Sequence, residues 1–586
     1  MQSKEKFDVV IVGAGWYGLI AAYTYLQLSP SASLLIVDDG DDIGGVWNTE
    51  RIYPNLFAQV GHGLFEYTFY PMKKEGLTKD RYISAKTIHD YLQGFAKEFD
   101  LASRTRSQTT VKDARKNQSG EGWILSVETR IDNQGGTEEG SILAEKLIVA
   151  TGVTSGPFVP QFPKDDTFSK PVIHSSELGP SMEYLTGPEV QRATVLGAAK
   201  SAYDTVYMLL KAGKKVDWVI REEGSGPMAI MPPRLARVLN TVDVMGTRAL
   251  AAFSPAILNT SGVWYRILQK SAVGNYLTKA FWRSVAWYAE WEAGYHTNPN
   301  MAKLRPVPEG YGIFWANAGL GLASAPDFWK IINSGDMTVH RTSITAFKDA
   351  DKVHLANGTV LPTDHVVLCT GWTDNLDLFS DITRQEWGLP SSADLSPKWA
   401  KLDAAGDAIV LEKLPFLRRN APDTANSHSQ RRPWRLYRRL VSPHMSAAGD
   451  RSVFFPGQIH SVYTPLVAEI QALWGVAFML GRLDLPQLED MEEEVAVWCS
   501  WTKRRYLEQG RRHAYSIYDY LAYVDTLAKD LGINTKRKSN PISEMFASYR
   551  PRDWKGLIPE FLEAEKKRLG EAKVNRTANG YSDGRK

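Results

Sequence analysis

An α/β fold built on two doubly wound, parallel nucleotide-binding units is predicted by three observations. Strand–glycine turn–helix–strand passages occur twice, at residues 7–38 and 193–221. Two buried-looking strands end in Thr-Gly, at Thr151-Gly152 and Thr370-Gly371, so the module is repeated. Beyond residue 486 the pattern turns helical. The 586 residues allow roughly four domain-sized units, and 43% hydrophobic against 23% charged residues is an ordinary globular balance that excludes general disorder.

The first passage opens with Phe7-Asp-Val-Val-Ile-Val12, a β-branched run of the kind buried on both faces of a sheet. It meets Gly13-Ala-Gly15-Trp-Tyr-Gly18 and then a helix. Gly13 permits the tight turn, Gly15 the approach of a pyrophosphate, and Gly18 the close packing of helix on strand. The helix N-terminus offers free N–H groups to phosphate. Leu34-Leu-Ile-Val37 ends in Asp38, twenty residues after Gly18, where a carboxylate holds ribose hydroxyls. Asp41-Asp-Ile-Gly44-Gly45-Val46-Trp47 then follows, and a hairpin around Trp123 to Leu143 leads into Lys146-Leu-Ile-Val-Ala-Thr151-Gly152. This arrangement resembles two-dinucleotide flavoproteins, which points to FAD.

The second passage keeps one glycine. Gly197-Ala-Ala199-Lys200-Ser201-Ala202 replaces the other two by alanine, which crowds the pyrophosphate, and Lys200 is placed to offset this by a phosphate contact. Arg221 closes the second strand where an NAD site carries an acid, and a guanidinium there favours the 2′-phosphate of NADPH. Asn357-Gly358 marks a hairpin before Val366-Val-Leu-Cys-Thr370-Gly371, and Cys369 reads as a core residue.

The order of these motifs resembles the flavin-containing and Baeyer–Villiger monooxygenases, the class B flavoprotein monooxygenases, and a biosynthetic member in particular. The likeness runs from about Phe7 to Leu485. It includes Tyr53-Pro-Asn-Leu-Phe57 and the closing Phe455-Pro-Gly457-Gln-Ile segment. Two segments depart from the pattern. In Phe168-Ser-Lys170-Pro-Val-Ile-His174, Lys170 stands for a glycine and Leu178 for an aromatic residue, while Phe168 and His174 match; Ala58-Gln59 stands where the family has Thr-Asn. Gln59 keeps the amide with one more methylene.

The resemblance implies NADPH domain 166–340 inserted into a discontinuous FAD domain, 1–165 and 341–485, with an aromatic-rich helical insertion at about 225–310. A helical region, 486–572, and a fraying tail, 573–586, complete the chain. It implies Gln59, Trp47 and His174 as catalytic candidates, His174 through the linker that positions NADP. To the glycines, Asp38, Lys200, Ser201 and Arg221 it adds Gly45, Val46, Trp47, Gly152 and Gly371 as cofactor contacts. The implied reaction uses NADPH and O₂ to insert one oxygen atom into a small hydrophobic metabolite through a C4a-(hydro)peroxyflavin. An NADPH oxidase without oxygen transfer and a non-catalytic flavin binder are the alternatives.

Composition excludes other classes. A net charge of +3 is too small for a general nucleic-acid binder, and the basic run Arg431 to Arg439 reads as a solvated flank or a membrane-surface contact. Two cysteines, Cys369 and Cys499, form no CxxC, which removes a dithiol reductase, and no metal site is expected. A cytoplasmic, reducing location without signal peptide or transmembrane segment is expected, with room for peripheral membrane contact. The aromatics between Trp264 and Tyr295 read as helical core or as the wall of an apolar pocket.

Overall fold

The computed structural model describes residues 5–117, 121–131, 136–392, 396–420, 422, 433–512 and 514–580. The first strand, Glu5–Val12, pairs in parallel with Leu34–Val37 on one side and with Gly136–Val149 on the other. Val9, Val10 and Ile11 are fully buried, as a β-branched run covered on both faces should be. Trp123–Ile131 and Thr109–Lys116 extend this sheet antiparallel.

The second sheet is wholly parallel, in the order Met337–Arg341, Lys215–Ile220, Arg192–Leu196, His365–Leu368, Val172–His174. It therefore extends past residue 340, where the sequence placed the return to the first unit. That return comes later, when Val453–Phe454 pairs with Leu147 and Ile148 of the first sheet. The chain thus interleaves two sheets, each covered by helices. Helix Thr464–Met479, buried along nearly its whole length, packs on the first glycine-turn helix, Trp16–Leu28.

The C-terminal region is helical: Leu488–Arg512, Tyr520–Asp530, Pro541–Phe546 and Leu557–Gly580. The last helix extends to Gly580. Residues 581–586 lie outside the described residues. The basic run also departs from expectation. Arg435 pairs with Asp403 at 2.7 Å and Arg438 with Asp530 at 2.7 Å. Arg439, 2% exposed, lies 4.6 Å from the ring centroid of Trp498. Acids distant in sequence neutralise this run inside the fold, so from 435 to 439 it is neither a solvated flank nor a membrane contact. Arg431 and Arg432 lie outside the described residues.

Candidate active site

The first glycine turn is held by contacts that tolerate no side chain. Gly13 has φ +111°, and a Cβ there would meet the Ala150 carbonyl oxygen at 2.4 Å. One at Gly18 would fall 1.8 Å from the Gly13 oxygen. Helix Trp16–Leu28 starts at Gly15 without a side-chain cap, which leaves its first N–H groups for a ligand. The Gly44-Gly45 segment lies directly on this turn: a Cβ at Gly45, φ +58°, would stand 3.1 Å from the Gly15 Cα. Asp38 is buried and accepts from the Ala14 N–H at 2.6 Å and the Gly40 N–H at 2.9 Å. Burial raises its pKa, and the two backbone donors oppose that rise.

A cavity of about 1260 Å³ opens over this turn, lined by Gly13, Gly15, Asp38, Gly45, Val46, Trp47 and Gly152 among others. Its wall carries three buried polar atoms without a protein partner: Trp16 Nε1, Thr151 Oγ1 and Ser461 Oγ. Unpartnered buried donors are costly unless a ligand meets them. The large cavity, the open helix N-terminus and these groups fit FAD.

The second turn repeats the first. Gly197 has φ +141°, and a Cβ there would meet the Cys369 carbonyl oxygen at 2.3 Å, as Gly13 meets Ala150. Cys369 is buried, and burial pushes its thiol up to about 12, so it is a packing residue. A cavity of about 400 Å³ is lined here by Ala199, Lys200, Ser201, Thr370 and Gly371. Lys200 is not free for phosphate: its ammonium pairs with Asp204 one helical turn on. Asp204 is buried, which raises its pKa, and the Lys200 charge opposes this. Arg221 is exposed at the end of Lys215–Ile220, makes no hydrogen bond or ion pair among the described residues, and lines neither cavity. The small-residue turn and a free guanidinium at the strand end fit a phosphorylated dinucleotide.

The two cavities share a wall of Val46, Trp47, Arg51, Gln59, Val153, Thr154, Ser176 and His460. Gln59 is oriented by the Leu322 N–H, which donates to Oε1 at 2.8 Å. Its amide nitrogen therefore points elsewhere and donates to no described protein group. Trp47 is steered by the edge of Phe65, centroids 6.3 Å apart, and by His89, whose Nδ1 lies 3.1 Å from the Trp47 oxygen.

His174 is not at this wall. It is 2% exposed and lines neither cavity. Nδ1 accepts from the Ser176 N–H at 3.1 Å, so Nε2 carries the proton and donates to the Gly371 oxygen at 3.1 Å. Burial lowers its pKa and keeps the ring neutral. It is a positioning residue that ties the linker to the Thr370-Gly371 turn. Lys170, in place of the family glycine, comes within 3.8 Å of Asp364, and Leu178 is buried in the second core.

Two residues of the shared wall carried no spacing signal. Arg51 donates to the Ser155 oxygen at 3.0 Å and lies 5.0 Å over the Trp372 ring, which bridges the first unit and the second Thr-Gly turn. His460 is half-buried between the two cavities, and desolvation of its ring lowers its pKa to about 4, so it is neutral at physiological pH. Both follow quoted motifs, Gly44-Gly45-Val-Trp47 and Phe455-Pro-Gly457, and adjacency to those was the only available cue. None of the aromatics Trp264, Tyr265, Phe281, Trp282, Trp287, Tyr288, Trp291 and Tyr295 lines either cavity.

Comparison with known proteins agrees with this geometry. Residues 10–242 match the family model described as pyridine nucleotide-disulphide oxidoreductase. The chain is 46% identical to the FAD-dependent monooxygenase DEP4 of Alternaria brassicicola, over 95% of each chain. It is 36% identical to the FAD-dependent monooxygenase rstn6 of Aspergillus nomiae, over 95% of this chain and 98% of that one. Among solved structures, the polycyclic ketone monooxygenase of Thermothelomyces thermophila shares the fold, with TM-score 0.60 and 14% identity over 90% of this chain and 88% of that one. Matched turns, a cavity fitted to FAD and close relatives along almost the entire length lead to one assignment: the protein belongs to the FAD-dependent monooxygenases.

Proposed function

We propose that the enzyme consumes NADPH and O₂ to insert one oxygen atom into a small hydrophobic metabolite, releasing NADP⁺ and water. The observation that carries this reading is the wall shared by the two cavities, where a nicotinamide and a flavin would meet. When bound, FAD supplies the redox chemistry, taking hydride from NADPH and delivering activated oxygen. The chain supplies orientation and dryness. Trp47 and Val46 shape the contact between the two sites, the Gln59 amide nitrogen is available as a donor beside it, and neutral His460 adds no charge. Protecting a reactive species from water requires few, fixed donors at the point where the two cavities meet. The His174–Gly371 hydrogen bond braces the Thr370-Gly371 turn against the neighbouring strand of the second sheet.

Rapid mixing with NADPH should bleach the flavin absorbance, and reaction under ¹⁸O₂ should place one labelled atom in the product of an apolar ketone or alkene panel. Stoichiometric H₂O₂ release with every substrate class would reject oxygen transfer and leave an NADPH oxidase.

A further inference from the structure

Helix Ala272–Ala293 is amphipathic in the inverse sense. Its buried side carries Asn275, Thr278, Ala286 and Ala289, with Trp282 as its large residue. Its solvent side carries Val273, Tyr276, Leu277, Trp287 and Trp291, exposed by 71, 71, 48, 64 and 46%. A surface helix of an isolated protein shows the opposite arrangement. At its start the helix packs so closely on the preceding turn that a Cβ at Gly274 would lie 1.9 Å from the Ile267 oxygen. Of the large outer residues, Trp291 carries the Arg237 guanidinium 5.6 Å from its ring centroid, while Val273, Tyr276, Leu277 and Trp287 are turned to solvent. Trp264 and Ile267, in the segment just before, add 48 and 45% exposed apolar surface. A contiguous exposed patch of this kind marks an interaction surface.

Charge selects the partner. From Asp243 to Glu290 no acid intervenes, while Arg248, Arg266, Lys270, Lys279 and Arg283 do. Arg248 is used internally, paired with Asp525 and Glu544. Lys270 reaches only a neutral group, the Glu412 carbonyl oxygen at 2.8 Å. Arg266, Lys279 and Arg283 form no ion pair among the described residues. A second copy of the chain is a poor occupant. A two-fold contact centred on the stripe would set Arg283 near its own mate with no acid on this face to neutralise either. Aromatic side chains beside unpaired cations suit a layer that is apolar within and anionic at its surface. No helix among the described residues is long and apolar enough to cross a membrane, so the geometry is that of lying on one.

We propose that the outer face of helix Ala272–Ala293 docks on an anionic phospholipid bilayer. The tryptophans and Tyr276 settle at headgroup level, and Lys279 and Arg283 meet lipid phosphates. This proposal is independent of the oxygenation chemistry.

The test is flotation of the full-length, FAD-loaded protein with vesicles of phosphatidylcholine alone or with phosphatidylserine added. The protein should float with the anionic vesicles, and the bound fraction should fall between about 0.05 and 0.5 M NaCl as screening grows. Trp287→Ser and Arg283→Glu should each lower partitioning roughly tenfold. Both side chains are exposed, so flavin content and Tm should not move. Three results overturn the idea: a wild-type protein that floats with neither vesicle, Arg283→Glu binding as tightly as wild type, or a dimer in sedimentation that Trp287→Ser dissolves without any vesicle binding.

Discussion

In the proposed reaction Gln59 and Arg221 would carry the two finest distinctions, and each rests on one side chain. Gln59→Glu keeps an oxygen to accept from the Leu322 N–H and removes the amide donor facing the shared wall. Loss of one well-placed donor costs on the order of 10²-fold in rate. Product formation should therefore fall by about that factor, with flavin retained and H₂O₂ release increased, as product analysis and peroxide assay would show. An unchanged ratio of product to peroxide would remove Gln59 from the chemistry. Arg221 is free to bind the 2′-phosphate, and a charge-assisted contact of that kind is worth ~1.5–3 kcal/mol. Arg221→Ala should raise KM for NADPH roughly 10- to 100-fold and leave that for NADH little changed. Equal discrimination in the variant would show that another group reads the phosphate. Residue identity made both positions legible in sequence. It could not reveal that Lys200 is taken up by Asp204, because that pairing depends on the polarity of Asp204's surroundings.

At the scale of elements, the two glycine turns are structural copies seated on opposite Thr-Gly strands. Gly197→Ala would drive a Cβ into the Cys369 oxygen and impose a side chain at φ +141°. The strain falls within the second sheet, remote from the Gly13–Ala150 contact. The variant should keep FAD and lose flavin reduction by NADPH, measured as at least a tenfold slower bleaching in rapid mixing. Loss of flavin itself would mean that the two sheets are not separable in this sense. These turns were readable because glycine placement and strand–helix alternation are local properties. The extension of the second sheet to Leu368 was not, since the partner of that strand, Arg192–Leu196, lies about 170 residues away and any Val-rich run suits either sheet.

At the scale of the whole molecule, contacts between distant segments decide what is buried. Glu469 accepts from the Thr68 N–H at 2.8 Å and the Thr68 hydroxyl at 2.6 Å, across 401 residues of chain. Burial, opposed by those two bonds, raises its pKa from the ordinary 4.5 to about 7. Between these two pH values the folded state binds more protons than the unfolded one. Stability from this group is therefore fully present below the unfolded pKa and is lost as pH rises towards 7. Glu469→Gln can still accept the N–H and, with the hydroxyl turned, donate to it. Its Tm should fall less than that of wild type as pH rises from 5 to 8, and parallel profiles in differential scanning would contradict the burial argument.

What the sequence determined by itself was the repeated nucleotide turn, the FAD site and the helical end, since each is written in residues within one strand–turn–helix passage. Tertiary structure alone decided three other matters. It placed Arg51 and His460 at the wall between the cavities, withdrew His174 from that wall into the end of a strand of the second sheet, and sank Arg435, Arg438 and Arg439 among acids and a tryptophan from distant helices. It also turned Trp287 and Trp291 outward, where an aromatic-rich helix had suggested core. The reason is physical: a turn is fixed by the backbone freedom of its own residues, whereas a side chain's burial and partner are set by whichever surface the rest of the chain brings against it.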